Sequence, residues 1–140
     1  KIAASGPSLW QLAKDNYHRF PADQIRFNTK NNRKSVCFED LSLALDQSCP
    51  LAAWLAEMFT DYIACETERL IRIFNPSQIV IGGELSAWIG FADHYLKPAV
   101  FKKFSRSEHG FISLPELSIA KHGVFSPALG ATALFLNQLL

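Results

Sequence analysis

The sequence has little methionine, no excess of charge and no long apolar run. Its 140 residues contain one methionine, Met58, so we expect Lys1 not to be a natural start and the chain to be part of something longer. The 14 basic and 13 acidic residues leave a net charge of +1, which gives no electrostatic sign of nucleic-acid binding. Because no uncharged apolar run reaches about 18 residues, we expect no membrane span, and the first residues lack the apolar core of a signal peptide.

Cysteine and histidine are also sparse. The three cysteines, Cys37, Cys49 and Cys65, form no CxxC pair, which argues against a disulfide framework and against a structural zinc site. We expect reduced thiols that pack as small hydrophobic side chains in a cytoplasmic protein. None of the four histidines has the spacing of a metal-binding pair, and no GxSxG motif is present. The sequence therefore predicts no metal ligand and no catalytic residue within this chain.

The composition, with 49% hydrophobic and 19% charged residues, is typical of a globular protein. We interpret residues 1–140 as a single domain. The patterns predict helices at 7–17, 38–46, 51–74, 92–104 (bent near Lys97 and Pro98) and 128–139, a polar loop at 16–34, a strand at 79–81 and one or two strands within 111–120. This order is an α/β arrangement. Two or three strands are few for a free-standing sheet, which indicates that part of a larger sheet is supplied from elsewhere.

The longest periodic segment spans residues 51–74, where apolar side chains recur every three or four positions. The pattern predicts one apolar stripe that Glu66 interrupts, and the residue before Pro76 should end the helix. Glu66 and Glu68 are two positions apart, so they lie on different faces and form no carboxylate pair. Asp61 with Glu57 or Glu68 forms a charged face that we interpret as solvated. The stripe consists of Leu55, Met58, Phe59, Tyr62, Ile63, Leu70, Ile73 and Phe74.

The strand at residues 79–81 leads into a pair of glycines. Three β-branched residues in a row, without polar alternation, predict a strand buried on both faces of a mainly parallel sheet. Open α/β sheets bind ligands at the carboxyl ends of their strands, where Gly82 and Gly83 would allow positive φ and close approach of a phosphate. On the spacing alone, a tight strand-to-helix turn without a ligand is the favoured interpretation. Trp88, just past the loop, is interpreted as a core or partner contact rather than as a pocket wall.

Three segments in register resemble the ROK family of repressors and sugar kinases. Residues 74–86 (FNPSQIVIGGELS) are similar to the family's "dPe-IVIGGG-lS" strand, residues 4–9 (ASGPSL) to its "SGpAl" segment, and residues 126–134 (SPALGATAL) to its closing "aGaiGAA-L" helix. The resemblance covers essentially the whole chain. It implies the actin-like, ribonuclease-H-like ATPase fold of sugar kinases, with this chain as the latter part of the C-terminal domain.

The resemblance makes Gly82, Gly83 and Glu84 the equivalent of the family's nucleotide-binding loop. Glu84 stands where the third glycine would be, and a carboxylate beside a nucleotide phosphate is repulsive. We take this as favouring a repressor, a NagC/XylR-like transcriptional regulator, over a kinase. The family's phosphate loop, its catalytic aspartate and its zinc-binding cysteine cluster are not in the sequence. The resemblance therefore implies that zinc, and in a kinase ATP, bind only together with the region upstream of Lys1.

Three functions remain open from the sequence. The first is the sensing and dimerisation part of a sugar-responsive transcriptional regulator, a homodimer or higher homo-oligomer whose sugar and operator DNA contact the upstream region. The second is the same part of a kinase that transfers phosphate from ATP to a hexose, and the third is an interaction domain with an accidental resemblance. An upstream helix-turn-helix would indicate the first and an upstream phosphate loop the second. The helix at residues 51–74 is a candidate for both hinge and dimer surface, on a face that the sequence does not identify.

Overall fold

A computed structural model of the chain describes residues 6–20, 36–88, 90–105 and 114–121. Its α-helices are α1 (Gly6–Asn16), α2 (Phe38–Asp46), α3 (Pro50–Phe74) and α4 (Lys97–Ser105), and its strands are β1 (Gln78–Ile81) and β2 (Glu116–Ile119). Single 3₁₀ turns lie at Tyr17–Arg19 and Gly83–Ala87, and a π-helical segment at Phe91–Leu96 precedes α4. The predicted α/β class is confirmed. Most of the predicted loop at 16–34, part of the strand region 111–120 and the whole closing helix at 128–139 lie outside the described residues.

Local chemistry fixes both ends of the long helix α3. Pro50 occupies its first turn, where the missing N–H has no helical partner in any case. At the other end Asn75 takes a left-handed conformation with φ of 43°, and its N–H donates to the Ile71 carbonyl at 2.8 Å. The predicted bounds are confirmed to within one residue. Within the described parts of the chain, no helix has both the length and the apolarity that a bilayer crossing requires.

The hydrophobic core lies where α3 meets α2 and the segment after β1. Aromatic rings dominate it: the centroid of Trp88 lies 4.7 Å from that of Phe91, and Phe38 lies 5.2 Å from Phe59. Trp88 is 1% exposed, which confirms the core interpretation of that residue. Such ring pairs add to the hydrophobic burial, so this cluster ties α2 and α3 to the chain that follows β1.

The apolar stripe along α3 is exposed in the last turns of the helix. Leu70, Ile73 and Phe74 are 45%, 71% and 70% exposed, whereas Thr67 and Ile71 are buried. Periodicity identifies which side of a helix is apolar, but the buried side is set by the elements that pack against it. The carboxyl-terminal end of α3 therefore presents an apolar surface that the described elements leave uncovered.

The two strands pair in parallel, with Gln78 opposite Glu116 and Ile81 opposite Ile119. The predicted parallel pairing is confirmed, but the predicted burial of β1 on both faces is wrong. Ile79 and Ile81 pack against the core, while Val80 on the other face is 56% exposed. The described helices cover one face of the sheet, which a run of β-branched residues alone does not reveal.

Near Lys97 and Pro98, where the sequence predicts a bend, the helix changes type. Residues 91–96 form a π-helical segment, and α4 continues from Lys97 in the α-helical form. Pro98 has no N–H to donate to the carbonyl of His94, so the α-helical hydrogen bond is lost at this point. A π segment beside such a gap shifts the register of the following helix without interrupting the path of the chain.

Candidate functional site

The glycine pair lies at the carboxyl end of β1. Gly82 is extended, with φ of −124° and ψ of −168°, a conformation open to any residue. Gly83 has φ of +70°, in the left-handed region that disfavours side chains. A Cβ placed on Gly83 would meet no atom within 4 Å. Glycine is therefore favoured at this position by its positive φ and not by steric contact with neighbouring atoms. The space beside Gly83 is open to an approaching group.

Local hydrogen bonds hold the loop after the glycines. The Ser86 hydroxyl donates to the Gly83 carbonyl at 2.6 Å, and the Trp88 N–H donates to the Leu85 carbonyl at 3.1 Å. Because the Trp88 ring is buried in the core, the 3₁₀ turn Gly83–Ala87 is anchored at both ends. The loop is therefore a fixed feature of the sheet edge.

The second strand ends beside the same loop. The Ala120 N–H donates to the Ile81 carbonyl at 2.8 Å, and a Cβ on Gly82 would lie 3.7 Å from the Ala120 Cβ. Lys121 follows immediately and is exposed. Two parallel strands thus bring the glycine loop and a lysine to one edge, where open α/β sheets bind their ligands. The sequence analysis missed Lys121, which the parallel register alone would have located.

Glu84 is exposed in the first turn of the 3₁₀ segment. The positive charge of Lys121 and the N–H groups at the start of the turn favour an anion at this edge. The negative charge of the Glu84 carboxylate disfavours one. The open space beside Gly83 suits the close approach of a phosphate, while the charge of Glu84 does not. The structure thus places the three predicted loop residues together at one exposed edge, and their binding role stays a prediction.

The histidines and cysteines, for which the sequence predicted no catalytic or metal-binding role, are scattered over the part of the chain that the structure describes. His18 and His94 are exposed, and His109 and His122 lie outside the described residues. In the portions of the chain that the structure describes, no three His, Cys, Asp or Glu side chains form a group able to hold a metal ion. The cysteines are free thiols: Cys37 is exposed, Cys49 is buried and Cys65 is intermediate.

Two glutamates of α3, Glu66 and Glu68, form ion pairs on its surface. Glu68 accepts from Arg72 at 2.8 Å, and Glu66 accepts from Arg69 at 2.8 Å. Both are pairs within the helix, so the predicted absence of a Glu66–Glu68 carboxylate pair agrees with the structure. Exposed pairs of this kind contribute little to stability.

Asp61 accepts instead from Lys103 of α4 at 2.7 Å. The hydrogen bond that the Lys103 ammonium donates to Asp61, with a second donated to Cys65, raises the pKa of Lys103. This pair joins the two helices, so the charged face of α3 that the sequence predicted as solvated is in part a contact with α4.

Comparison with known proteins identifies the chain. The ROK family model matches residues 2–138, almost the full length. The chain belongs to the ROK family. A search of curated proteins finds no match to this ROK chain.

Among solved structures, this ROK chain is similar to a ROK family glucokinase from Streptomyces griseus in complex with glucose and AMPPNP, with a TM-score of 0.67 and 19% identity. The match covers 91% of this chain and 41% of that enzyme, so the chain spans about two fifths of the enzyme's length. The likeness confirms the fold: the chain is an α/β part of the actin-like ATPase fold.

Proposed function

We propose that this ROK chain is the C-terminal sensing and dimerisation part of a cytoplasmic, sugar-responsive transcriptional regulator of the NagC-like kind. The observation that carries the proposal is the exposed Glu84 carboxylate beside Gly83, at the edge where the family's nucleotide loop would lie. A nucleotide phosphate at that edge would face a fixed negative charge. In this proposal the loop has a structural role, as the connection between β1 and the turn that follows, and does not bind ATP.

The regulator would work by a shift of population between two lobe angles. A sugar held between the lobes, through residues upstream of Lys1, favours one angle because it binds that state more tightly. In a dimer the lobe angle sets the spacing of the DNA-reading helices, and that spacing decides whether two half-sites can be bound together. The long helix α3, anchored to α2 and α4 through its core contacts, is the rigid element that would carry the change.

The alternative is a kinase that transfers phosphate from ATP to a hexose, with its catalytic base outside this chain. The similarity in fold to the glucokinase complex is compatible with a kinase. The two glycines of the loop are compatible with a kinase as well. In that case Lys121 and the backbone of the loop would have to outweigh the repulsion from Glu84.

One experiment separates the two. The natural full-length protein is incubated with ATP and each of a panel of hexoses while ADP release is measured, and in parallel its binding to genomic DNA fragments is measured with and without each hexose. The proposal expects no hexose-dependent ADP release and a change in DNA binding on addition of one sugar. Hexose-dependent ADP release without DNA binding would establish the kinase instead.

A further inference from the structure

A carboxylate, an amine and a thiol lie together where α3 meets α4. Lys103 of α4 donates to the Asp61 carboxylate of α3 at 2.7 Å. Cys65 follows Asp61 by four positions, so both side chains project from the same face of α3, one turn apart. The Lys103 ammonium donates to Cys65 as well. The Lys103 Nζ and the Cys65 Sγ are therefore within hydrogen-bond reach of each other across the two helices.

Small molecules in solvent can reach this cluster. Asp61 and Lys103 line a groove of about 780 Å³ between α3 and the helical segment that leads into α4. The side chain of Lys103 is 22% exposed, and Cys65 is half-buried. Cys49, by contrast, is completely buried. Because oxidation of a cysteine requires that the oxidant reach its sulfur, Cys65 combines access for an oxidant with a neighbouring amine.

We propose that Cys65 and Lys103 form a covalent modification site, at which a peroxide leads to a sulfenamide bond between Sγ and Nζ. A cysteine sulfenic acid condenses with a nearby nitrogen in this way, and the product is reversible. The bond joins α3 to α4, removes the positive charge of Lys103 and leaves the Asp61 carboxylate without that partner. The inference does not depend on whether the whole protein is a regulator or a kinase.

The reaction has two steps. In the first, hydrogen peroxide transfers one oxygen atom to the Cys65 thiol as its O–O bond breaks, which gives the sulfenic acid and one water; the sulfur loses the two electrons that the peroxide gains. In the second, the unprotonated Nζ of Lys103 attacks that sulfur, the S–N bond forms, the S–O bond breaks and the oxygen leaves as water. In sum, one thiol, one ammonium and one peroxide give one sulfenamide, two waters and one proton released to solvent.

The position of Lys103 favours the link over further oxidation of the sulfur. Asp61 holds Nζ beside Cys65, so the second step takes place within one molecule, whereas oxidation to the sulfinic acid needs another peroxide from solvent. The raised pKa of Lys103 keeps the reactive amine a minor form. The sulfenic acid is therefore expected to appear first and the link to follow more slowly.

In the test, the natural full-length protein is treated with hydrogen peroxide, digested without reductant and mapped by mass spectrometry. The expected product is a peptide containing Cys65 joined to one containing Lys103, lighter than their sum by two hydrogen atoms and lost on addition of a thiol. Lys103→Arg keeps a cation for Asp61 but removes the amine, so the link should disappear and oxidised forms of Cys65 should accumulate. Lys102→Arg makes the same change at the neighbouring lysine and should leave the link in place.

Cys37, which is exposed at the start of α2, is the internal reference for the dose of peroxide. Circular dichroism and the thermal midpoint check that each variant is folded. A wild-type protein in which Cys65 becomes a sulfinic acid without any linked peptide would overturn the proposal. A Cys65 that remains a thiol once Cys37 is oxidised, or a link that persists in Lys103→Arg, would overturn it as well.

Discussion

Removing the charge of Glu84 should strengthen nucleotide binding at the glycine loop. Glu84 is exposed, so the effective dielectric around it is close to that of water. At about 4 Å, one pair of unit charges then repels by about 1 kcal/mol, and two phosphate charges within reach by about 2 kcal/mol. We therefore expect Glu84→Gln, which keeps the size of the side chain, to lower the dissociation constant for AMPPNP by about 5- to 30-fold. Glu84→Gly should do the same and also supply the third glycine.

The assay is isothermal titration of the natural full-length protein with AMPPNP at low and high salt. Because the repulsion acts through solvent, the gain should shrink as the Debye length falls from about 10 Å at 0.1 M to about 3 Å at 1 M. Glu116→Gln is the control: Glu116 is an exposed carboxylate at the amino end of β2, four residues or about 13 Å along the strand from the loop edge. Equal affinities for the wild type and both Glu84 variants at low salt, or a gain indifferent to salt, would refute the electrostatic reasoning.

Three further predictions concern stability, each measured as the free energy of urea unfolding. Gly83→Ala should destabilise by about 1–2 kcal/mol because its φ of +70° is unfavourable for a side chain, while Gly82→Ala should be nearly neutral; equal effects would contradict this. Trp88→Ala should cost about 3–5 kcal/mol by opening a cavity in the aromatic core, and a loss below about 1 kcal/mol would show that the ring is not packed there. Asp61 raises the pKa of Lys103, so the pair's stabilisation is complete below the unfolded pKa of about 10.4 and is lost as pH rises through the higher folded pKa. Lys103→Met should therefore reduce the fall in stability above about pH 10, and an unchanged pH profile would contradict the ion pair.

The sequence predicted those features that local chemistry determines. The ends of α3 follow from Pro50 and from Asn75 before Pro76, and the short helix α2 was predicted at its observed bounds. The parallel strand and the position of the glycine loop were also predicted, because β-branched residues and a glycine pair have conformational preferences of their own.

The features that the sequence did not predict depend on which elements meet in space. The exposure of Val80, and of Ile73 and Phe74 on α3, reflects the coverage of one face only. Lys121 joins the candidate site through a strand register that pairs residues about forty positions apart.

The parallel pairing of β1 with β2 has a consequence for the order of folding. Helices α2 and α3 adjoin in sequence, so their contacts close short loops, whereas β1 and β2 can pair only after the whole crossover between them is in place. Distant pairings of this kind form slowly, because the entropy of a long loop is lost before any contact compensates for it. We therefore expect the edge that joins Gly82 to Ala120 to form late, so that a ligand requiring both strands would recognise only molecules that have finished folding.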